Sequence, residues 1–122
     1  MKLAVIGFVA VFFFGMGLYG LTRPAALIRP FGITLPSTEA RAEVRAVYGG
    51  FGVAIAGILA VAAMGHAMRD GILLAVATAL MGMAFGRLVS GAVDTPKAFY
   101  PNWFYLVVEL VLAGALVWAV YG

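Results

Sequence analysis

Long apolar stretches alternate with short polar or proline-containing segments along the whole chain. Four of the stretches reach the length of about 20 residues that a helix needs to cross a bilayer, and they predict helices at residues 3–21, 39–64, 71–93 and 101–121. Each stretch is apolar on every side, whereas the strands of a membrane barrel would alternate apolar and polar residues. We therefore predict an all-α, polytopic membrane protein, with residues 1–122 forming a single four-transmembrane-helix bundle.

The segment between the first two predicted helices contains three prolines, which favour a loop over a continued helix. One short interfacial helix at residues 25–29 fits between these prolines. Ser37 or Thr38 is a good N-cap for the second long helix, because a hydroxyl there can accept a hydrogen bond from a free backbone N–H group.

Composition supports the membrane interpretation and limits the partners and cofactors that can be expected. Of the 122 residues, 65% are hydrophobic and 11% are charged, against about 25% charged in a typical soluble domain. The net charge of +3 comes without a basic run, so nucleic acid is not an expected partner. With no cysteine and one histidine, neither a metal site nor a cofactor is expected. Enzymatic activity is left open, although no nucleophile, metal or cofactor constellation favours it.

Small residues recur at intervals of four on two of the predicted helices. Such stripes let helix backbones approach closely in lipid, and they predict packing either within the chain or between copies of it. The stripes are Ala46, Gly50 and Ala54 on the second helix and Thr78, Gly82, Gly86 and Ser90 on the third.

The charged residues are distributed unequally between the two ends of the bundle. Four antiparallel helices place most of them at the end away from the termini, which we call the polar end. These residues are Arg23, Arg29, Glu39, Arg41, Glu43, Arg45, Arg87, Asp94, Lys97 and Glu109. The end that carries the termini receives only Lys2, His66, Arg69 and Asp70.

Three of these charges lie well inside the predicted helices. At 1.5 Å per residue, Arg45, Arg87 and Glu109 are about 9, 10 and 12 Å from the polar ends of their helices. Ionisable groups at such a depth cost several kcal/mol unless they are paired or hydrated. Glu109 therefore needs a partner, for which Arg45 and Arg87 are the candidates, and Glu43 can pair with the arginine that remains.

Three interpretations of this layer are open. The charges can be interhelical ion pairs that fix the arrangement of the helices. They can form a pocket for a polar or anionic head group, since a guanidinium matches carboxylate and phosphate and neighbouring hydroxyls can hydrogen-bond. They can also belong to a proton path. The candidate ligand-binding residues are Glu43, Arg45, Tyr48, Arg87, Ser90, Tyr105 and Glu109.

The stretch Glu43-Val-Arg45-Ala-Val-Tyr48-Gly49-Gly50 makes the sequence recognisable. Pro24-Ala-Ala-Leu, Gly86-Arg87-Leu88, Asp94 and Glu109 belong to the same pattern. With them, nearly the whole chain resembles a bacterial family of small four-helix membrane proteins labelled domain of unknown function 4345. The resemblance implies a four-helix fold and no activity. It also implies cytoplasmic termini, since relatives tend to carry basic residues at the termini and the middle turn.

From these observations we expect a protein of the bacterial inner membrane with a polar intramembrane pocket that binds a lipid-like or amphipathic molecule. Its expected partners are membrane lipid, such a ligand, and either a second copy of the chain or a larger membrane complex. The first alternative is a non-catalytic subunit or assembly factor of a larger complex. The second alternative is a small proton-linked transporter.

Overall fold

A computed structural model of the protein describes residues 1–122, which form helices and no strands. Four helices are long: α1 (Lys2–Thr22), α3 (Thr38–Ala63), α4 (Arg69–Val93) and α5 (Phe99–Tyr121). The short helix α2 (Pro24–Ile28) follows α1 and continues into a 3₁₀ turn, Arg29–Phe31.

All four long helices are long and apolar enough to cross a membrane, so the prediction of an all-α, multi-pass membrane bundle is confirmed. Their ends lie within two residues of those expected from the sequence. In the most apolar window of each helix, 28% of the residues are buried inside the protein. The remaining apolar surface faces outward, as it must in a helix surrounded by lipid.

The bundle consists of two tightly packed helix pairs. Helix α1 packs along α3, and α4 packs along α5, whereas α3 and α4 touch over a smaller area. A continuous core joins the pairs through buried side chains from all four long helices, among them Ile6, Leu59, Leu73 and Leu116. Two helices that are consecutive along the chain, α3 and α4, are therefore less tightly packed than either pair.

Glycines on both partners bring the backbones of α1 and α3 close together. A Cβ atom on Gly17 would lie 2.6 Å from the backbone nitrogen of Val53, and one on Gly52 would lie 2.9 Å from the Cα atom of Gly17. A Cβ atom on Gly20 would lie 2.9 Å from the backbone nitrogen of Gly49. No side chain fits at these positions, so the packing of the first pair depends on glycine.

The stripe predicted on the third long helix does not pack within the chain. Thr78, Gly82 and Gly86 are exposed on α4, and a Cβ atom on either glycine would meet nothing within 4 Å. On α3, Ala46, Gly50 and Ala54 are likewise exposed, while Gly49 and Gly52 make the contact with α1.

Residues Arg45–Gly50 of α3 form a π-helical segment. The pattern of apolar residues in the sequence does not predict it. A π turn holds more residues than an α turn, so it changes which residues face a neighbouring helix. The first residues of α5, Phe99–Trp103, are interrupted by a kink at Tyr100, whose backbone is extended (φ −94°, ψ 135°) and not helical. There the indole Nε1 of Trp103 donates a hydrogen bond to the Pro96 carbonyl at 3.2 Å.

The connection between α1 and α3 agrees with its sequence. Ser37 caps α3, because its Oγ accepts a hydrogen bond from the Ala40 N–H group at 3.0 Å, which confirms the predicted N-cap. The short interfacial helix expected at residues 25–29 is present as α2. Its residue Ile28 is 2% exposed, so this connection packs down onto the bundle.

Candidate functional site: a paired arginine and glutamate beside two adjacent cavities

Arg87 on α4 and Glu109 on α5 form the one ion pair of the protein. Arg87 Nε donates a hydrogen bond to Glu109 Oε1 at 2.8 Å, and Nη2 donates to Oε2 at 2.9 Å. This two-pronged geometry is the strongest that arginine makes with a carboxylate. The side chains are 20% and 5% exposed, respectively, so the pair is largely withdrawn from the surface.

Aromatic rings surround the guanidinium of this pair. The Arg87 Cζ atom lies 5.8 Å from the ring centroid of Phe31 and 5.5 Å from that of Tyr105. Both distances fall within the range of a cation–π attraction. The two rings are also neighbours of each other, with centroids 5.7 Å apart. The segment after α2 thereby contributes directly to the environment of the ion pair.

A cavity of about 70 Å³ lies beside the ion pair. Arg87 and Glu109 are the two charged residues in its wall, and Tyr48 and Tyr105 also line it. Most of the remaining wall is apolar. The volume exceeds the roughly 10–15 Å³ that one water molecule requires, so the cavity has room for a small polar group.

The connection after α1 forms part of the wall of this cavity. Leu27, Ile28 and Phe31 line it, and all three come from α2 and its 3₁₀ turn. We call these three residues the covering segment. The sequence pattern does not assign them to the site. In the sequence they are three apolar residues within a proline-rich connection, a pattern that also fits simple anchoring at the membrane surface.

A second, larger cavity opens between α3 and α4, which pack less tightly than the helices within either pair. This groove has a volume of about 610 Å³ and is lined throughout by apolar and aromatic side chains. Its size falls within the range of roughly 300–1,000 Å³ that is typical of ligand pockets. Five residues line both the groove and the smaller cavity, and they are Phe13, Met16, Tyr48, Leu80 and Met83.

The two cavities together offer polar contacts at one end and apolar walls along the rest. Of the five N–H groups of an arginine, Arg87 uses two on Glu109. The other three make no hydrogen bond within the protein, and Nη1 is not sealed from its surroundings. They can donate to an oxygen atom of a molecule in the smaller cavity.

The seven sequence-predicted site residues are divided by the structure. Four of them line the smaller cavity: Tyr48, Arg87, Tyr105 and Glu109. Arg45 lies elsewhere, and its Nε donates a hydrogen bond to the Leu21 carbonyl at 3.0 Å. Glu43 is exposed and has no ion-pair partner. Ser90 is half-buried on α4 but does not line either cavity. Glu109 therefore pairs with Arg87, one of its two candidate partners.

Comparison with known protein families gives one match. The family described as a domain of unknown function (DUF4345) matches residues 1–120, and the chain therefore belongs to this family. Comparisons with curated proteins and with solved structures gave no significant match. The family description names no activity, so function must be argued from the geometry of the site.

Proposed function

From its place in a family without an assigned activity, and from the two adjacent cavities of this chain, we propose that the protein binds a lipid-like or other amphipathic molecule within the membrane. The polar head of this ligand lies beside Arg87 in the smaller cavity, and its apolar part lies in the groove between α3 and α4. The observation that carries this proposal is that the cavity beside the ion pair and the apolar groove are adjacent and share five wall residues.

Hydrogen bonding explains why the head would lie at this position. The N–H groups of Arg87 that Glu109 does not use are available to a ligand oxygen, and Tyr48 and Tyr105 line the same cavity. A buried donor gains more from a partner in an apolar environment than it would in water. The rest of the ligand gains from apolar walls on three helices, α1, α3 and α4.

The groove also supplies a route from the bilayer. It opens between two membrane-spanning helices, while the covering segment closes part of the smaller cavity. An amphipathic molecule dissolved in the bilayer can therefore reach Arg87 sideways, without leaving the hydrocarbon. Such a molecule is already concentrated in the membrane, so modest affinity suffices to fill the site.

Extraction and mass spectrometry test the head-group contact. The protein is purified in a mild detergent, and its retained small molecules are identified. We expect one amphipathic species to be retained by the wild type and lost from Arg87→Ala. Arg45→Ala is the matched control, because it also removes one guanidinium from the polar end but leaves both cavities intact. Equal retention by the two variants, or no retained molecule in the wild type, contradicts the proposal.

A second pair of variants tests the groove. Ala79 lines the groove and Ala75, one turn earlier on α4, does not; both are exposed. Ala79→Trp should fill the groove and displace the retained molecule, whereas Ala75→Trp should leave it bound. If Ala79→Trp retains the ligand as well as Ala75→Trp does, the apolar part lies elsewhere.

We place the protein in the inner membrane of a bacterium, with its termini in the cytoplasm. A bundle of apolar helices is the usual architecture there, and the family resemblance supports this orientation. A reporter domain fused to the carboxyl end tests it. A fluorescent protein that matures only in the cytoplasm should be active, and an enzyme that needs the periplasm should be inactive; the opposite pattern overturns the orientation.

A non-catalytic subunit or assembly factor of a larger membrane complex is the second candidate. It is favoured by the exposed small-residue face of α4, where Gly82 and Gly86 have no neighbour within the chain. Gly82→Leu and Gly86→Leu should then abolish copurification with a partner without affecting the two cavities. A wild-type protein that runs as a monomer at every concentration argues against this role.

A further inference from the structure

The charge of the proposed head-group site is balanced by the protein itself. Arg87 and Glu109 are the two charged residues in the wall of the smaller cavity, and they hold each other through two hydrogen bonds of 2.8 and 2.9 Å. Glu109 is 4% exposed. The guanidinium is therefore neutralised before any ligand arrives, and the site as a whole has no net charge.

No further charge contributes to this site. Arg45, which could have made the site cationic, donates its Nε hydrogen bond to the Leu21 carbonyl and does not line the cavity. The exposed Glu43 also lies outside the cavity wall. The remaining polar groups in the wall are the hydroxyls of Tyr48 and Tyr105, which are neutral.

A charged head group would be poorly matched by this arrangement. An anion near Arg87 would also lie near the Glu109 carboxylate, and it would lose its hydration without gaining an unpaired cation. A cation near the Glu109 carboxylate would likewise lie near the positive charge of Arg87. An uncharged oxygen, by contrast, can accept a hydrogen bond from a free N–H group of Arg87 while the ion pair stays intact.

We propose that the ligand of this site is an amphipathic molecule with a small uncharged head that accepts hydrogen bonds, such as an alcohol, an ester or a quinone-type carbonyl. This inference rests on the proposed function and narrows it. The ion pair acts as a filter: Arg87 supplies the donors, and Glu109 removes the positive charge that would otherwise attract fatty-acid or phosphate head groups. Glu109 is thus a specificity-determining residue.

Three probes with the same oleyl chain test the inference, namely oleyl alcohol, oleyl sulfate and oleyl trimethylammonium. Their charges do not change near neutral pH. The affinity of the full-length protein for each is measured by native mass spectrometry in a neutral detergent. Each variant is compared with the wild type for one probe at a time, so that differences in partition between micelle and water cancel.

Glu109→Gln is the decisive variant, because it keeps the size of the side chain and removes its charge. We expect it to raise the affinity for oleyl sulfate by roughly tenfold, the difference between a charge-assisted and a neutral hydrogen bond, with a smaller change for oleyl alcohol. Glu43→Gln is the matched control: it makes the same change in net charge outside the cavity and should leave all three affinities unchanged.

Arg87→Gln provides the reciprocal test and an independent one if Glu109→Gln does not fold. It leaves the Glu109 carboxylate without a partner, so it should shift the preference toward oleyl trimethylammonium. Far-ultraviolet circular dichroism shows whether either variant keeps its helices. A shift in the expected direction in the folded variant supports the filter.

Two results would overturn the inference in distinguishable ways. If the wild type binds the probes but neither folded variant, Glu109→Gln or Arg87→Gln, changes the affinity for oleyl sulfate or oleyl trimethylammonium relative to the wild type, the charge filter is wrong while ligand binding stands. If the wild type binds none of the three probes, the proposed binding function itself fails and the filter fails with it.

Discussion

Replacing Glu109 by leucine should destabilise the protein by about 3 kcal/mol, because the change leaves a largely buried guanidinium without its partner. Breaking a buried ion pair from one side typically costs about 3–5 kcal/mol. The lower end of that range applies here, since the Arg87 side chain keeps 20% of its surface exposed. The rings of Phe31 and Tyr105 also remain near its charge.

The double variant Arg87→Met/Glu109→Leu should recover most of this loss. With both charges gone, no group is left unpaired, and exchange of a buried ion pair for apolar side chains of similar size is often neutral or stabilising. We expect the double variant to lie within about 1 kcal/mol of the wild type. Arg87→Met alone leaves the Glu109 carboxylate without a partner and should also cost about 3 kcal/mol, so the coupling energy of the pair should be about 5 kcal/mol.

Unfolding in mixed micelles measures these differences. The fraction of denaturing detergent is increased stepwise, and the loss of helix packing is followed by circular dichroism for the wild type, both single variants and the double variant. Glu43→Leu serves as the control, because this exposed carboxylate has no ion-pair partner; it should change the unfolding free energy by about 0.5 kcal/mol or less.

A coupling energy of about 0.6 kcal/mol or less would refute the reasoning. That is the average value of a hydrogen bond between helices in a membrane protein, and it would mean that water or lipid head groups solvate Arg87 as well as Glu109 does. The pair would then be an ordinary interhelical contact, and its charge could not govern what enters the neighbouring cavity.

Four further changes have defined outcomes in the same unfolding assay. Gly17→Ala should cost several kcal/mol, because its Cβ atom would overlap the backbone of α3 and overpack the contact between the two helices. Gly82→Ala is the control: its Cβ atom meets open space, so it should be neutral or stabilising by up to about 1 kcal/mol. Arg45→Gln should cost at most about 3 kcal/mol. Only the hydrogen bond to the Leu21 carbonyl is lost, and one hydrogen bond of a charged group is worth about 1.5–3 kcal/mol. Ser37→Ala should cost about 1 kcal/mol through loss of the N-cap of α3. A Gly17→Ala variant as stable as Gly82→Ala would show that α1 and α3 do not approach at backbone distance.

The positions of the helices could be predicted from the sequence because the constraint in lipid is simple. A backbone in hydrocarbon must satisfy its own hydrogen bonds, so an apolar stretch of sufficient length becomes a helix, and prolines and polar turns mark where it ends. The ends of all four long helices lie within two residues of the predicted ones for this reason. Ser37 likewise has a local role that the neighbouring sequence defines.

Pairing between helices could be predicted only in part. Depth along the helices restricted the partner of Glu109 to Arg45 or Arg87, but depth does not say how each helix is rotated about its own axis. The carboxylate takes Arg87, and Arg45 bonds to a backbone carbonyl near the end of α1. Every helix has such carbonyls near its end, so no residue type in the sequence distinguishes this acceptor.

The glycine contacts show the same limit. A spacing of four indicates that residues share one face of a regular helix, but not which face packs. In α3 the π-helical segment also shifts the spacing, so that Gly49 and Gly52 contact α1 in place of Ala46, Gly50 and Ala54. The role of the covering segment could not be predicted for a related reason: the other residues that line the smaller cavity lie elsewhere in the sequence.

Arg87 and Glu109 belong to the same helix pair, because α4 and α5 are joined by a short connection and pack along each other. Their charges can therefore neutralise each other as soon as this hairpin forms, before it meets α1 and α3. A hairpin that carries its own counterion presents much less charge to the hydrocarbon during insertion than either helix would alone. During synthesis, Arg87 therefore lacks its counterion only until α5 has followed α4 out of the ribosome.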